Sequence, residues 1–134
     1  MRILCLDIGD VRIGVAVSDP LGISTNGIET HLSKGAEADA AYFTEMAASR
    51  GVEKFLLGLP LNMDGTEGDR AEKVRAFGAL LGEKSGLPVE YEDERLTTVE
   101  AEEMLIEAGL SRQERKKVID KVAAEIILRS YLNK

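Results

Sequence analysis

A single mixed α/β domain over residues 1–134, with a five-stranded mixed sheet flanked by helices, is predicted by three features of the sequence. Near the start, two short apolar runs follow one another across a glycine-containing turn, the pattern of a hairpin. Further on, two more apolar runs alternate with stretches of helical periodicity, as in α/β sheets. Towards the end, two capping-box spacings announce a pair of helices. A domain of this length buries roughly 65–70% of the surface its unfolded chain exposes, enough for one core.

The first strand is read from Arg2 to Ile8, a nearly continuous apolar run of the kind covered on both faces. Gly9-Asp10-Val11 turns the chain and Ile13 to Val17 returns as the second strand. Asp19-Pro20-Leu21-Gly22 has turn chemistry, and Ile23 to Thr30 is a more polar run suited to a sheet edge. Ala40, Phe43 and Ala47 recur at helical spacing between Ala36 and Arg50, before Gly51, a residue that commonly stops helices. Lys54 to Leu59 is a fourth, buried strand. The loop Pro60 to Thr66 precedes a helix whose inner face carries Val74, Phe77 and Leu81, and Gly86-Leu87-Pro88 ends it. Val89 to Glu92 is the fifth strand. Thr97 with Glu100, and Ser111 with Glu114, have capping-box spacing and introduce helices from about Thr98 to Ala108 and Glu114 to Leu132.

Composition narrows the function. With 44% hydrophobic and 31% charged residues the chain is neither disordered by composition nor membrane-like. No apolar stretch approaches the roughly 20 residues of a spanning helix. Asp7 interrupts the first apolar run too early for a signal peptide, so a cytoplasmic location is expected. Cys5 and His31 are the only residues of their types and are read as structural. They provide neither a disulfide nor a zinc set, and any metal must be held by oxygen. The formal charge of −7 argues against general coating of a polyanion, but leaves room for a local basic surface beside an acidic site.

Three carboxylates stand out. Asp7 ends an apolar strand two residues before a glycine; it is either a turn-bonding residue or a ligand-facing group at a strand end. Asp93-Glu94-Arg95 follows the fifth strand and puts a second acid at a strand end. Asp120 shares a helical stripe with Ala123, Ala124, Ile127 and Tyr131, the face expected against the sheet. A carboxylate there is costly unless it is paired, for example with Arg95, or holds a cation. If Asp7, Glu94 and Asp120 converge, two charges about 4 Å apart repel by about 4 kcal/mol at an effective dielectric near 20. Mg²⁺ or Mn²⁺ would remove that repulsion, and a pair of such ions suits in-line phosphodiester hydrolysis. Arg112, Arg115, Lys116 and Lys117 precede Asp120 and, with Arg12 after the first turn, are candidates to neutralise flanking phosphates. A solvated helix face is the plainer account of those four.

Taken together, these motifs resemble the YqgF family of pre-16S rRNA nucleases and Holliday junction resolvase-like proteins. The resemblance rests on Leu6-Asp7-Ile8-Gly9 with Arg12 to Asp19, on Gly58 to Gly65, on Asp93 to Thr98, and on Ile119-Asp120 before Ala123-Ala124. It covers nearly the whole chain. It implies an RNase H-like fold and a metal-dependent endonuclease site on Asp7, Glu94 and Asp120; Arg95, next to Glu94, is counted with the basic residues as a substrate-binding candidate. The implied role is maturation of the 5′ end of 16S rRNA, so that the partner is structured RNA within a precursor ribosomal particle. Branched DNA is the alternative substrate, with a monomer suiting the first and a homodimer the second. One departure is plain: the family usually has a small hydroxyl residue and then Lys after the first glycine, where this chain has Asp10-Val11. Asp10 is therefore either an extra metal-side carboxylate or a turn cap.

Two other classes compete. Sugar-kinase and actin-like ATP-binding folds also open with an Asp-x-Gly hairpin, but need a second phosphate loop and about twice the length. A non-catalytic RNA- or protein-binding factor would keep the fold and the acidic charge without cleaving.

Overall fold

The computed structural model describes residues 1–134. Its elements are β1 (Ile3–Ile8), β2 (Arg12–Ser18), β3 (Thr25–Leu32), α1 (Ala36–Arg50), β4 (Lys54–Leu59), α2 (Asp69–Ser85), β5 (Val89–Asp93), α3 (Thr97–Glu107) and α4 (Arg112–Leu132). All five strands join one mixed sheet in the order β3-β2-β1-β4-β5. The first three run antiparallel, while β4 and β5 continue parallel to β1. The parallel strands therefore end together, with β1 central.

Strand alternation divides the core into layers. Leu4 and Leu6 of β1, with Val15, Phe55 and Leu57, bury against Ala40, Phe43 and Ala47 of α1 and Val74 and Leu81 of α2. Ile3 and Cys5, with Ala16 and Leu56, face Ala124, Ile127 and Leu128 of α4. The continuous apolar runs of β1 and β4 follow from cover on both faces. α3 packs chiefly on α4, with Ala101 against Ala123 and Ile126. Of the stripe assigned to the sheet, Ala124 and Ile127 do meet it, and Ala123 turns to α3 instead.

Some boundaries move for identifiable reasons. β3 starts at Thr25 rather than Ile23 because Asp19 Oδ1 accepts the N–H groups of Ile23 (2.6 Å) and Ser24 (3.0 Å), holding both in the turn. α4 starts at Arg112 because Ser111 is its cap: Ser111 Oγ accepts from the Glu114 N–H (3.2 Å), and Glu114 Oε1 accepts from the Ser111 N–H (2.8 Å). The second capping box expected, Thr97 with Glu100, does not form. A tight turn closes from the Thr97 N–H to the Glu94 carbonyl at 3.0 Å and passes through Leu96 in the left-handed region, φ 64°. Thr97 is consequently already inside the helix and buried, where it cannot act as a cap.

Candidate active site

The carboxylates singled out in the sequence meet where β1, β4 and β5 end, on the face covered by α4. Asp7 lies opposite Gly14 of β2, and the parallel register of Leu6 with Leu57 sets it beside Gly58 of β4. Both glycines are needed for close approach. A Cβ on Gly14 would lie 1.9 Å from the backbone oxygen of Asp120, so only glycine lets α4 settle on β2 at that residue. A Cβ on Gly58 would lie 2.7 Å from Ile127 Cδ1 and 3.0 Å from Glu94 Oε2, so the Ile127 side chain and the Glu94 carboxylate share the room this glycine leaves. Glu94 is turned there by the bond from its N–H to the Leu59 carbonyl, 3.1 Å, together with the turn through Leu96. The result is a cleft of about 280 Å³ whose walls include Asp7, Glu94, Asp120, Arg70, Arg95 and Thr98.

Burial dominates the electrostatics. Desolvation raises the Asp7 pKa, the hydrogen bond with Glu94 opposes that rise, Asp120 adds to it, and Arg70 offsets part of it. Glu94 is pushed up to about 9, first by desolvation, then by its hydrogen bond and its repulsion with Asp7. Desolvation also raises Asp120, with Arg12 pulling the other way. With Glu94 raised so far, the half-buried pair of Asp7 and Glu94 holds one proton between them in the neutral range. The partner suggested for Asp120 is otherwise engaged: Arg95 bonds Asp93 through Nε (2.9 Å) and the Met63 carbonyl through Nη1 (3.1 Å).

The convergence is that of a pair and a third group. No set of three acidic, histidine or cysteine side chains is grouped closely enough to enclose a single ion. The donor chemistry is nevertheless that of a hard dication site: all oxygen, largely desolvated, and carrying a proton that a cation would displace. An arrangement with Asp7 between Glu94 and Asp120 suits ligation from two sides better than one closed cage.

The basic residues divide. Arg12, Lys116 and Lys117 line one shallow groove together with Thr30 and Gln113, adjoining the cleft through Arg12. Arg115 does not join them; its Nε bonds Glu102 at 2.5 Å and its Nη1 the Leu110 carbonyl at 3.0 Å, which ties α3 to α4. Arg112 is exposed in the first turn of α4 and lines neither hollow. Asp10 faces a separate hollow and not the carboxylate cleft. Arg70 was not singled out in the sequence. The available signal was its place in the first turn after a loop that leaves a buried strand, where ligand-facing residues gather.

This fold is that of the RNase H-like nucleases. Among solved structures, Thermus thermophilus RuvC in complex with Holliday junction substrate superposes with a TM-score of 0.62 at 13% identity, covering 100% of this chain and 97% of that one. The fowlpox virus Holliday junction resolvase superposes at 0.58 and 16% identity, covering 99% of each. At the level of sequence, the model of the RuvX family, described as Holliday junction resolvase, matches residues 1–134, and the chain belongs to that family. Relatives named "Putative pre-16S rRNA nuclease" include one from Streptococcus gordonii, 50% identical over 137 residues and covering 100% of this chain and 99% of the relative. Another, from Pelotomaculum thermopropionicum, is 51% identical over 134 residues, covering 99% and 87%. The expected α/β fold and the YqgF resemblance are both borne out.

Proposed function

We propose that this protein is a divalent-cation-dependent endonuclease that cuts structured RNA, its substrate being precursor 16S rRNA and its site the carboxylates of Asp7, Glu94 and Asp120. The observation that carries the reading is that three separate segments, the end of β1, the turn after β5 and α4, bring these groups to the walls of one cleft at the strand ends. The names of the full-length relatives support the substrate. The 134 residues act as one domain in the cytoplasm.

Mg²⁺ or Mn²⁺ held by Asp7, Glu94 and Asp120 would supply charge neutralisation and a water acidified enough to attack phosphorus. Hydrolysis forms one P–O bond from water, breaks another, and delivers a proton to the leaving oxygen. Asp7 and Glu94 would give up their shared proton to solvent on holding such a cation. Gly14 and Gly58 hold Asp120 and Glu94 at their stations, and Arg70 sets its positive charge beside the cleft, where it can offset the negative charge of the phosphoryl oxygens. Arg12, Lys116 and Lys117 steer the flanking backbone, providing locally what a chain of net charge −7 lacks overall.

The description of the family as Holliday junction resolvase favours branched DNA as the second reading. One experiment separates them: matched precursor-rRNA and four-way-junction substrates, offered to wild type and Asp7→Asn with and without Mn²⁺. Cation-dependent cutting of the RNA, absent in Asp7→Asn, is expected. Preferential cutting of the junction, with a homodimer in solution, would replace RNA by DNA. Undiminished cutting by a folded Asp7→Asn protein would remove the assigned site.

A further inference from the structure

Beside the carboxylate cleft, across the ridge formed by Ile8, Gly9 and Pro60, lies a second hollow of about 250 Å³ between the β1–β2 turn, α1 and α2. Its apolar floor is Ile13, Val74 and Phe77, and Arg70 and Lys73 stand at its mouth. The other cations of α2 with carboxylates in reach are paired, Arg75 with Glu67 and Lys84 with Glu37. Arg70 and Lys73 have no ion-pair partner, although the hollow holds two acids. Asp39 is spent on its own bonds, to His31 Nε2 (3.0 Å), Ser33 Oγ (2.5 Å) and the Lys34 N–H (2.9 Å), and Asp10 is exposed at the rim. An apolar pocket lipped by two unpaired cations suits a ligand with a flat apolar body and a phosphate. Its volume falls just below the roughly 300–1,000 Å³ of small-molecule sites, which limits it to one small unit such as a single base with its phosphate at the mouth.

We infer that this hollow receives one unpaired nucleotide of the RNA strand being cut, its base on the apolar floor and its phosphate between Arg70 and Lys73. This rests on the reading of the neighbouring cleft as a nuclease site. Four residues, Ile8, Gly9, Pro60 and Arg70, line both hollows, so a strand crossing the Gly9–Pro60 ridge occupies both at once. Arg70, set between them, binds the phosphate that joins the two nucleotides. Splaying a base into such a pocket is how single-stranded RNA is generally read, and it would select a cut next to an unpaired nucleotide over one within a continuous duplex.

The test uses two surface positions outside the cleft. Lys73→Ala removes one cation, and Ala36→Phe plugs the mouth from the exposed first turn of α1. RNA oligonucleotides shortened one residue at a time on either side of the cut are offered to wild type and both variants with Mn²⁺. In parallel, anisotropy measures their binding to the same proteins carrying Asp7→Asn. In wild type, loss of the nucleotide that fills the pocket should lower kcat/KM and binding by about tenfold in a single step. In Ala36→Phe the step should vanish, in Lys73→Ala it should shrink, and both variants should handle the shortened RNA like wild type. An unchanged step in both folded variants overturns the inference. A binding step that behaves as expected without any cleavage upholds the pocket and overturns the nuclease reading; cleavage without a step does the reverse.

Discussion

Glu94→Gln should stabilise the protein free of divalent cations while destroying its capacity to hold them. In the fold, the Glu94 carboxyl keeps its proton up to about 9, against an ordinary value of 4.5. A carboxyl with a raised folded pKa contributes full stability below the unfolded value and loses it as pH rises towards the folded one. The wild type should therefore weaken steadily from about pH 4.5 to about 9 in chelator. Carrying at pH 7 a proton that the unfolded chain releases near 4.5 costs about 3 kcal/mol, at about 1.4 kcal/mol per pH unit. Gln occupies the same space and can donate to Asp7 as the protonated acid does, but has no such cost. The variant should gain about 3 kcal/mol at pH 7, about 10 °C in Tm for a domain of this size, and nothing below pH 4.5. Thermal melts at several pH values in chelator measure this, and a second series with Mg²⁺ or Mn²⁺ should raise the wild-type Tm well above its chelated value while moving Glu94→Gln little. Coincident melting of the two proteins from pH 5 to 9 in chelator would refute the assignment of a shared proton to this pair.

Gly14→Ala should cost about 1–3 kcal/mol or more, because its Cβ meets backbone and not a flexible side chain, and should lower cleavage further than the loss in Tm accounts for, since α4 must lift with Asp120 on it. Lys116→Ala and Lys117→Ala should each reduce the log–log salt slope of RNA binding by about 0.7–0.9, read by anisotropy across a salt titration, with little change in Tm. Arg115→Ala should do the opposite, leaving the salt slope alone and lowering Tm through loss of its bonds to Glu102 and Leu110. Ser111→Ala should cost about 1 kcal/mol by denaturant unfolding, and Glu100→Ala close to nothing, because only the first belongs to a capping box that forms.

The strands were readable because burial on two faces writes a continuous apolar run and burial on one writes a polar alternation; β1, β4 and β3 differ in that way. Asp7, Glu94 and Asp120 were readable as a set because each breaks the local pattern, two at strand ends and one on a helical face otherwise apolar. Thr97 misled because capping-box spacing says nothing about whether the backbone enters the helix from an extended or a left-handed residue, and Leu96 takes the left-handed one. Arg115 misled because sequence places four cations in one turn and a half without saying which of them meets an acid on a neighbouring helix. Arg70 escaped because its local signal, a place in the first helical turn after a buried strand and its loop, is shared by its neighbours Asp69 and Glu72, and which of them faces the cleft depends on how far α2 reaches over the strand ends.

The glycines explain why the shape of the site is harder to read than its chemistry. Glycine within a strand weakens it, since it packs nothing and gains freedom when unfolded. Gly14 and Gly58 flank Asp7 on the two strands beside it, on the face where Ala16 and Leu56 are buried under α4. Side chains at those positions would strengthen the sheet and fill the space that Asp120 and Glu94 now use. Desolvation of the three carboxylates and thinning of the sheet are thus one structural choice: the cleft exists because two side chains are missing, and its acids are raised in pKa because the surrounding layers still close over it. It follows that the two glycines should respond differently: crowding at Gly58 is with side chains, Glu94 among them, and should ease when that acid is removed, whereas crowding at Gly14 is with the Asp120 backbone and no side-chain change relieves it. A protein carrying Gly58→Ala should regain part of its lost stability when Glu94→Ala is added, the remainder being the contact with Ile127 Cδ1, although Glu94→Ala alone removes a hydrogen bond from Asp7. That non-additivity, measured as a double-mutant cycle in Tm, reports contact between the two positions directly; strictly additive effects would mean that Glu94 does not occupy the space over Gly58.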